Sequence, residues 1–265
     1  MSAEGAVDSD IMTLENLGDL PRSARLAAWA TTWLGDNADL SDVVDKVRGD
    51  DEPHTVVELP DLSGEVQLGT ALESLRTDDA TAFTVALPAP GDPIGLAGPA
   101  ETNAAAIDAG EAVIVHGTQC ALVPDITVFG PPGDQGHLVT WRVMPAAVPL
   151  PLTTLAEAEQ ELNTELRDAA GTLADLDVAG WRPEAEALLD EIRSPQPVAP
   201  LPHKYPARAQ TVAANGMRLM AVVRFALEDD GGAVHAAEAS ARAATLRPLE
   251  RAARHAVQAA VNAAP

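Results

Sequence analysis

The chain has 265 residues, 46% of them hydrophobic and 22% charged, with 17 Lys+Arg against 40 Asp+Glu and a formal net charge of −23. These fractions exclude a disordered chain, and the length allows two domains or one large one. A single cysteine, Cys120, excludes an internal disulfide, and the negative charge repels a phosphate backbone.

Residues 1–18 contain Glu4, Asp8, Asp10 and Glu15 and no apolar run, so the expectation is a disordered N-terminus without a signal peptide. Pro21 suits a first helical position. Leu26, Trp29, Ala30, Trp33 and Leu34 then recur at helical spacing, and Gly35 ends the helix. A second short helix through Val43, Val44 and Val47 closes at Gly49, completing a helical hairpin.

At His54 the texture changes. Residues 55–59 read as a strand, 66–75 as a helix, 82–87 as a strand and 100–109 as a helix ended by Gly110. Residues 112–116, 120–123, 126–129 and 138–143 read as further strands between Gly and Pro punctuation. Strands alternating with helices, then strands alone, predict a mixed sheet, partly parallel at first and antiparallel at its end.

Pro145, Pro149 and Pro151 mark a boundary. Leu155, Ala158, Leu162, Leu166, Ala169, Leu173 and Leu176 form a seam of 3–4 spacing on one long helix, in which Gly171 costs about 1 kcal/mol relative to Ala. Pro183 opens another helix, and residues 195–206 form a Pro-rich strap. Val212, Gly216, Leu219, Met220, Val223 and Leu227 define the helix expected to be most buried. A last helix follows Gly231-Gly232, kinked or restarted at Pro248. The predicted fold class is thus mixed, α+β with α/β character: an N-terminal helical hairpin plus a mixed β-sheet domain over 19–146, then an all-helical C-terminal domain over 152–264.

Charge is unevenly placed. Residues 1–200 net −26, whereas residues 201–265 net +3. Charge of that kind selects partners rather than folds. On the last helix, Arg247, Arg251, Arg254 and His255 share a face opposite Leu246, Leu249, Ala253, Val257 and Ala260. That basic face is expected to dock on the acidic helices over 155–193 of its own chain, which carry 11 acids and 3 arginines. An acidic partner protein is the second expectation. Nucleic acid is not expected, because no aromatic interleaving accompanies the arginines.

A candidate ligand loop runs from Leu87 to Pro99, between a strand and a helix N-terminus. Gly91, Gly95 and Gly98 would let backbone approach a ligand, with Asp92, Asn103 and the strand end at Trp141 and Arg142 as further lining. The glycine spacing is neither a P-loop nor a dinucleotide fingerprint, and four prolines remove donors that a phosphate cradle needs. The competing reading is a rigid loop packed by its own prolines.

Glu228, Asp229, Asp230, His235 and Glu238 offer metal-type donors across a turn, without calcium-loop spacing. A solvated inter-helix turn is the reading preferred, so no metal and no cofactor are expected. Cys120 lies among apolar strand residues and is expected to be buried and structural, since a nucleophile would need His116 or His137 beside it.

The run ALPAPGDPIGLAGPAETNAAAIDAGEAV over 86–113, with LVTWRV over 138–143, is similar to uncharacterised proteins of high-GC actinobacteria. The resemblance covers nearly the whole chain. It implies a bacterial, cytoplasmic setting and brings no functional residue with it.

Without a catalytic constellation, the sequence leans away from an enzyme. It points to a cytoplasmic interaction or regulatory protein whose partner and oligomeric state it does not specify, and which contacts neither membrane nor nucleic acid. The rival is a small-molecule-binding α/β domain or enzyme with its site at the 88–100 loop and the Trp141-Arg142 strand end.

Overall fold

A computed structural model describes residues 19–131, 134–150, 153–175, 201–228 and 236–263. The chain opens with α1 (Arg22–Leu34) and α2 (Leu40–Arg48). Pro21 precedes α1 and cannot cap it with a side chain. The cap comes instead from Glu111, whose carboxylate accepts the Ser23 N–H at 2.7 Å, satisfying one orphan donor of the first turn from a distant strand.

Six strands follow: β1 (Thr55–Val57), β2 (Val66–Gln67), β3 (Ala82–Ala86), β4 (Ala112–His116), β5 (Cys120–Phe129) and β6 (Gly136–Pro145). They form one mixed sheet in the order β2-β1-β6-β5-β4-β3. The helices α3 (Leu68–Thr77) and α4 (Ala100–Ala109) lie between them in sequence.

Three expectations shift here. Val66 pairs with Val56, so the predicted helix at 66–75 begins two residues later, at Leu68. The parallel pairing joins β1 to β6, while β3 and β4 are antiparallel although a helix separates them. The long Gly/Pro loop 87–99 returns the chain, so this connection works as a wide hairpin rather than a crossover. The two strands read at 120–123 and 126–129 are one strand through Pro124. The alternation of β5 turns the peptide groups of even-numbered residues away from β6, so Pro124 removes no bond of that ladder.

The C-terminal half contributes α5 (Leu155–Asp175), α6 (Ala207–Glu228) and α7 (Ala236–Asn262). Within 152–264 the described residues hold helices and no strand. Thr154 and Glu157 form a reciprocal capping box at the start of α5: the Thr154 N–H and hydroxyl reach the Glu157 carboxylate, and the Glu157 N–H returns to Thr154 Oγ1. Gly216 lets α6 approach α7, since a Cβ there would stand 2.7 Å from Val257 Cγ2.

Among the described residues, α7 is buried more deeply than α6, the helix expected to be most buried. Ala252, Ala253, Ala256, Val257 and Ala260 are fully enclosed, whereas Leu219 and Met220 of α6 are half-buried. The reason is position: α7 packs against α5, α6, α1 and β3. Packing of Leu246 and Leu249 carries the helix through Pro248 without a break. The helix predicted from Pro183 lies outside the described residues. One continuous apolar cluster takes in α1, the sheet, α6 and α7, so the two halves share a core.

The contact of α7 with β3 has a defined chemistry. Asn262 accepts the Val85 N–H at 2.8 Å and donates to the Val85 carbonyl at 2.9 Å. Gln258 accepts the Leu87 N–H at 2.8 Å, and Arg254 donates to the Leu87 carbonyl at 2.6 Å. Thr31 of α1 serves Phe83 in the same way, bonding both its carbonyl and its N–H. Four helical residues rise about 6 Å and two strand residues about 6.6 Å, so side chains at 258 and 262 keep step with 87 and 85. The outer edge of β3 is thereby closed by side chains instead of a strand.

Candidate functional site

The 87–99 loop is filled from within. Ala89 and Asp92 exchange backbone hydrogen bonds of 3.0 and 2.8 Å, making a tight turn. Gly98 donates to Asn103 Oδ1 at 2.9 Å and accepts from the Ala147 N–H at 3.0 Å. Gly95 sits at φ +88°, and a Cβ there would meet the Ala86 Cβ at 2.9 Å and Gln258 Nε2 at 3.1 Å. Gly95→Ala is therefore expected to cost about 1–3 kcal/mol, from backbone strain and displacement of Gln258. Gly91→Ala has a positive φ but open space, and should cost about 1–2 kcal/mol. Urea unfolding of both variants checks the order.

Asp92 and Arg254, expected to belong to two separate sites, meet here. Arg254 Nη2 and His255 Nε2 both lie 2.8 Å from Asp92 Oδ2. Burial alone would raise the Asp92 pKa, but the hydrogen bonds and charges of His255 and Arg254 outweigh it and hold the carboxyl below its usual range. On its other side, His255 Nδ1 faces Glu161 of α5 at 3.6 Å. The expected packing of the last helix on α5 is present, yet Arg254 reaches the loop rather than α5. It is Arg208 of α6 that pairs with Glu159 of α5, at 2.6 Å. Arg247 and Arg251 are exposed. A shallow depression beside the loop is lined by Ile94, Thr153, His255, Gln258 and Ala259.

Trp141 and Arg142 do not line that loop together. As neighbours on β6 they point to opposite faces. Trp141 is fully buried in the main core, while Arg142 donates toward Met144 Sδ on the α4 face, where Met144 packs with Leu96 and Ala106. Strands β5 and β4 separate β6 from β3, and the loop reaches the end of β6 through Leu96, packed on the Met144 cluster, and through Gly98, bonded to Ala147.

The densest polar constellation lies elsewhere, and the sequence reading missed it. Trp141 Nε1 donates to His54 Nδ1 at 3.2 Å, and His54 Nε2 meets Asp51 Oδ2 at 3.1 Å. Arg22 clasps the same carboxylate with two bonds of 2.8 and 2.7 Å, Arg25 approaches at 3.4 Å and His137 at 3.5 Å. An indole nitrogen can only donate, so His54 Nδ1 accepts and the hydrogen sits on Nε2, directed at Asp51. Both ring nitrogens are thus committed, and this Asp–His pair has no nitrogen left to activate a nucleophile. Desolvation pushes the Asp51 carboxyl up, but hydrogen bonds from His54 and Arg22, with the charges of Arg22 and Arg25, hold it far below the ordinary value. Nearby, burial pushes Glu111 up despite its bond to Ser23 and the two arginines. The available signal was Asp51-x-x-His54 just after the Gly49 helix stop.

Cys120 is buried, 3.0 Å from Thr118 Oγ1, and burial raises its thiol pKa, as befits a structural residue. His116 is engaged with Thr84 at 2.8 Å. Of the acidic turn, Asp229, Asp230 and His235 lie outside the described residues. Among the described residues, no three His, Cys, Asp or Glu side chains are grouped to hold a metal.

A mixed sheet sealed along β3 by a C-terminal helical unit, with its polar clusters turned inward, describes the class of protein. The Rv1486c-like protein family matches most of it: its N-terminal domain over residues 23–157 and its C-terminal domain over 156–258. The chain belongs to this family. It is 29% identical over 281 residues to "Uncharacterized protein Rv1486c" of Mycobacterium tuberculosis strain H37Rv, covering 91% of this chain and 96% of that protein. The same figures hold for "Uncharacterized protein MT1533" of strain CDC 1551. These relatives agree with the actinobacterial resemblance of the sequence. No solved structure matches the chain. No described helix is long and apolar enough to cross a membrane.

Proposed function

We propose that this chain is a non-enzymatic interaction or regulatory protein of the cytoplasm, and that it docks its partner through the outer end of the β5–β6 hairpin. One observation carries the reading. Phe129 and Leu138 are 43% and 47% exposed on one face of that end and Val128 is 40% exposed on the other, and exposed large apolar side chains gathered at one place mark contact surfaces. In support, the groups able to perform chemistry are engaged in holding the fold: His54 by Trp141 and Asp51, Asp92 by Arg254 and His255.

The test is site-specific photo-crosslinking in cells, from positions 129 and 138, with half-buried Glu165 on α5 as the control position. A single crosslinked protein is expected from 129 and 138, absent from 165, and lost from 138 when Phe129→Ser is introduced. The alternative is a ligand site at the 88–100 loop. A metabolite that raises the melting temperature of the wild type, but not of Asp92→Asn or Arg254→Gln, would establish that alternative and overturn the proposal.

A further inference from the structure

On the β3 side of the sheet, the outermost strand β3 and the part of β5 that outruns β4 are treated differently. On β3 the outward peptide groups of Phe83, Val85 and Leu87 are met by Thr31, Asn262, Gln258 and Arg254. On β5 the partner strand β4 ends early: it pairs with residues 120–122, whereas β6 runs alongside β5 to Phe129.

The register tells which groups face the vacated side. The Gln119 carbonyl accepts the Ala146 N–H, in step with the β5–β6 pairing, so odd-numbered residues of β5 turn their peptide groups to β6. Even-numbered residues turn theirs to the β4 side. Beyond the end of β4 these are Pro124, Ile126 and Val128. Pro124 has no N–H, but Ile126 and Val128 each direct an N–H and a carbonyl to a side where no described strand lies. A row of this kind is a template for another strand.

Its surroundings select the occupant. Phe129 and Leu138 stand on the face shared with α4, Val128 stands on the other, and all three are exposed. The exposed charges at the rim are Asp125 and Asp134, with Glu52 bonded through its N–H to the His137 carbonyl, in a chain of net charge −23; Arg22 and Arg25, near His137, are largely buried and paired with Asp51. A second copy would bring two acidic rims together.

We propose that the free edge at Ile126–Val128 takes up an extended, basic segment of a partner protein as an added strand. This rests on the interaction reading above and names the partner's chemistry. Backbone pairing supplies the fit, and lysines or arginines alternating with β-branched residues supply the charge match.

Amide hydrogen exchange on the full chain tests it, with a ten-residue peptide of alternating Val and Lys as the probe and a Val/Glu peptide as the control. In the free protein the Ile126 and Val128 amides should exchange fast. The Val/Lys peptide should slow both at least tenfold, more weakly at high salt, and the Val/Glu peptide should not. Val128→Pro removes an outward donor and should weaken peptide binding at least tenfold. Asp125→Lys with Asp134→Lys leaves the backbone intact and should reverse the peptide preference even if the proline variant folds poorly. The proposal is overturned by equal protection with both peptides, or by unchanged binding in Val128→Pro. Amides already protected in the dilute free protein would show the edge covered within the chain, and protection that grows with protein concentration would show a second copy. Either result overturns it too. A crosslink from position 138 that is lost with Phe129→Ser but kept with Val128→Pro would leave the interaction reading standing while removing the added strand.

Discussion

Asp51→Ala is expected to destabilise the protein by about 3–5 kcal/mol at neutral pH, the range for removing one partner of a buried ion pair. Its side chain is 6% exposed and those of Arg22 and Arg25 are 18% and 17% exposed, so solvent screens little of the loss. Removal takes one shared carboxylate from Arg22, Arg25 and the His54 Nε2–H together, and Arg25 Nε is already buried without a hydrogen-bond partner. The pH dependence has a definite sign. The folded pKa of Asp51 lies below its unfolded value of 3.8, so its contribution is present above that pH and is lost as pH falls through the folded pKa. Urea unfolding of both proteins should therefore show a stability gap that is constant from pH 7 down to about pH 4 and narrows below it. A gap that widens on acidification would contradict the role assigned to Asp51.

Trp141→Ala should cost about 3–5 kcal/mol through the cavity alone, because this is the largest fully enclosed side chain among the described residues. Trp141→Phe separates volume from polarity. It keeps an aromatic filler but leaves His54 Nδ1 without its donor, which should cost about 1–3 kcal/mol. Combining Trp141→Phe with Asp51→Ala should then give less than the sum, since both act through one imidazole. Additive losses by chemical denaturation would place Trp141 outside the network.

Apolar periodicity made the element order legible, because each strand and helix buries a face on one common core. Val212 and Leu155 announced their helices in this way. Strand partners were not legible: β1 lies beside β6 because of a pairing across more than eighty residues, Thr55 with Thr140, and no local pattern encodes that. The loop 87–99 stood out for its glycines; of these, Gly95 serves close packing on Ala86 and Gln258, while Gly91 and Gly98 have open space where a Cβ would stand. Arg254 was visible as part of a basic face. Its partner was not, since an arginine on a helix surface carries no mark of the loop that comes to meet it. Asp51 and His54 carried no local mark of their role for the same reason: it comes from α1 and β6 converging on them.

The sealed edge of β3 has a consequence for biosynthesis. Gln258 and Asn262 follow their partners Leu87 and Val85 by 171 and 177 residues. At a synthesis rate of about 5–20 residues per second, β3 waits roughly ten to thirty seconds before the side chains that close it are made. During that interval the nascent sheet carries an open strand on the ribosome, available to a chaperone or to a neighbouring nascent chain. A ribosome stalled before codon 258 would release a chain with that strand uncovered, so premature termination late in this gene should yield aggregates rather than a shortened, folded protein.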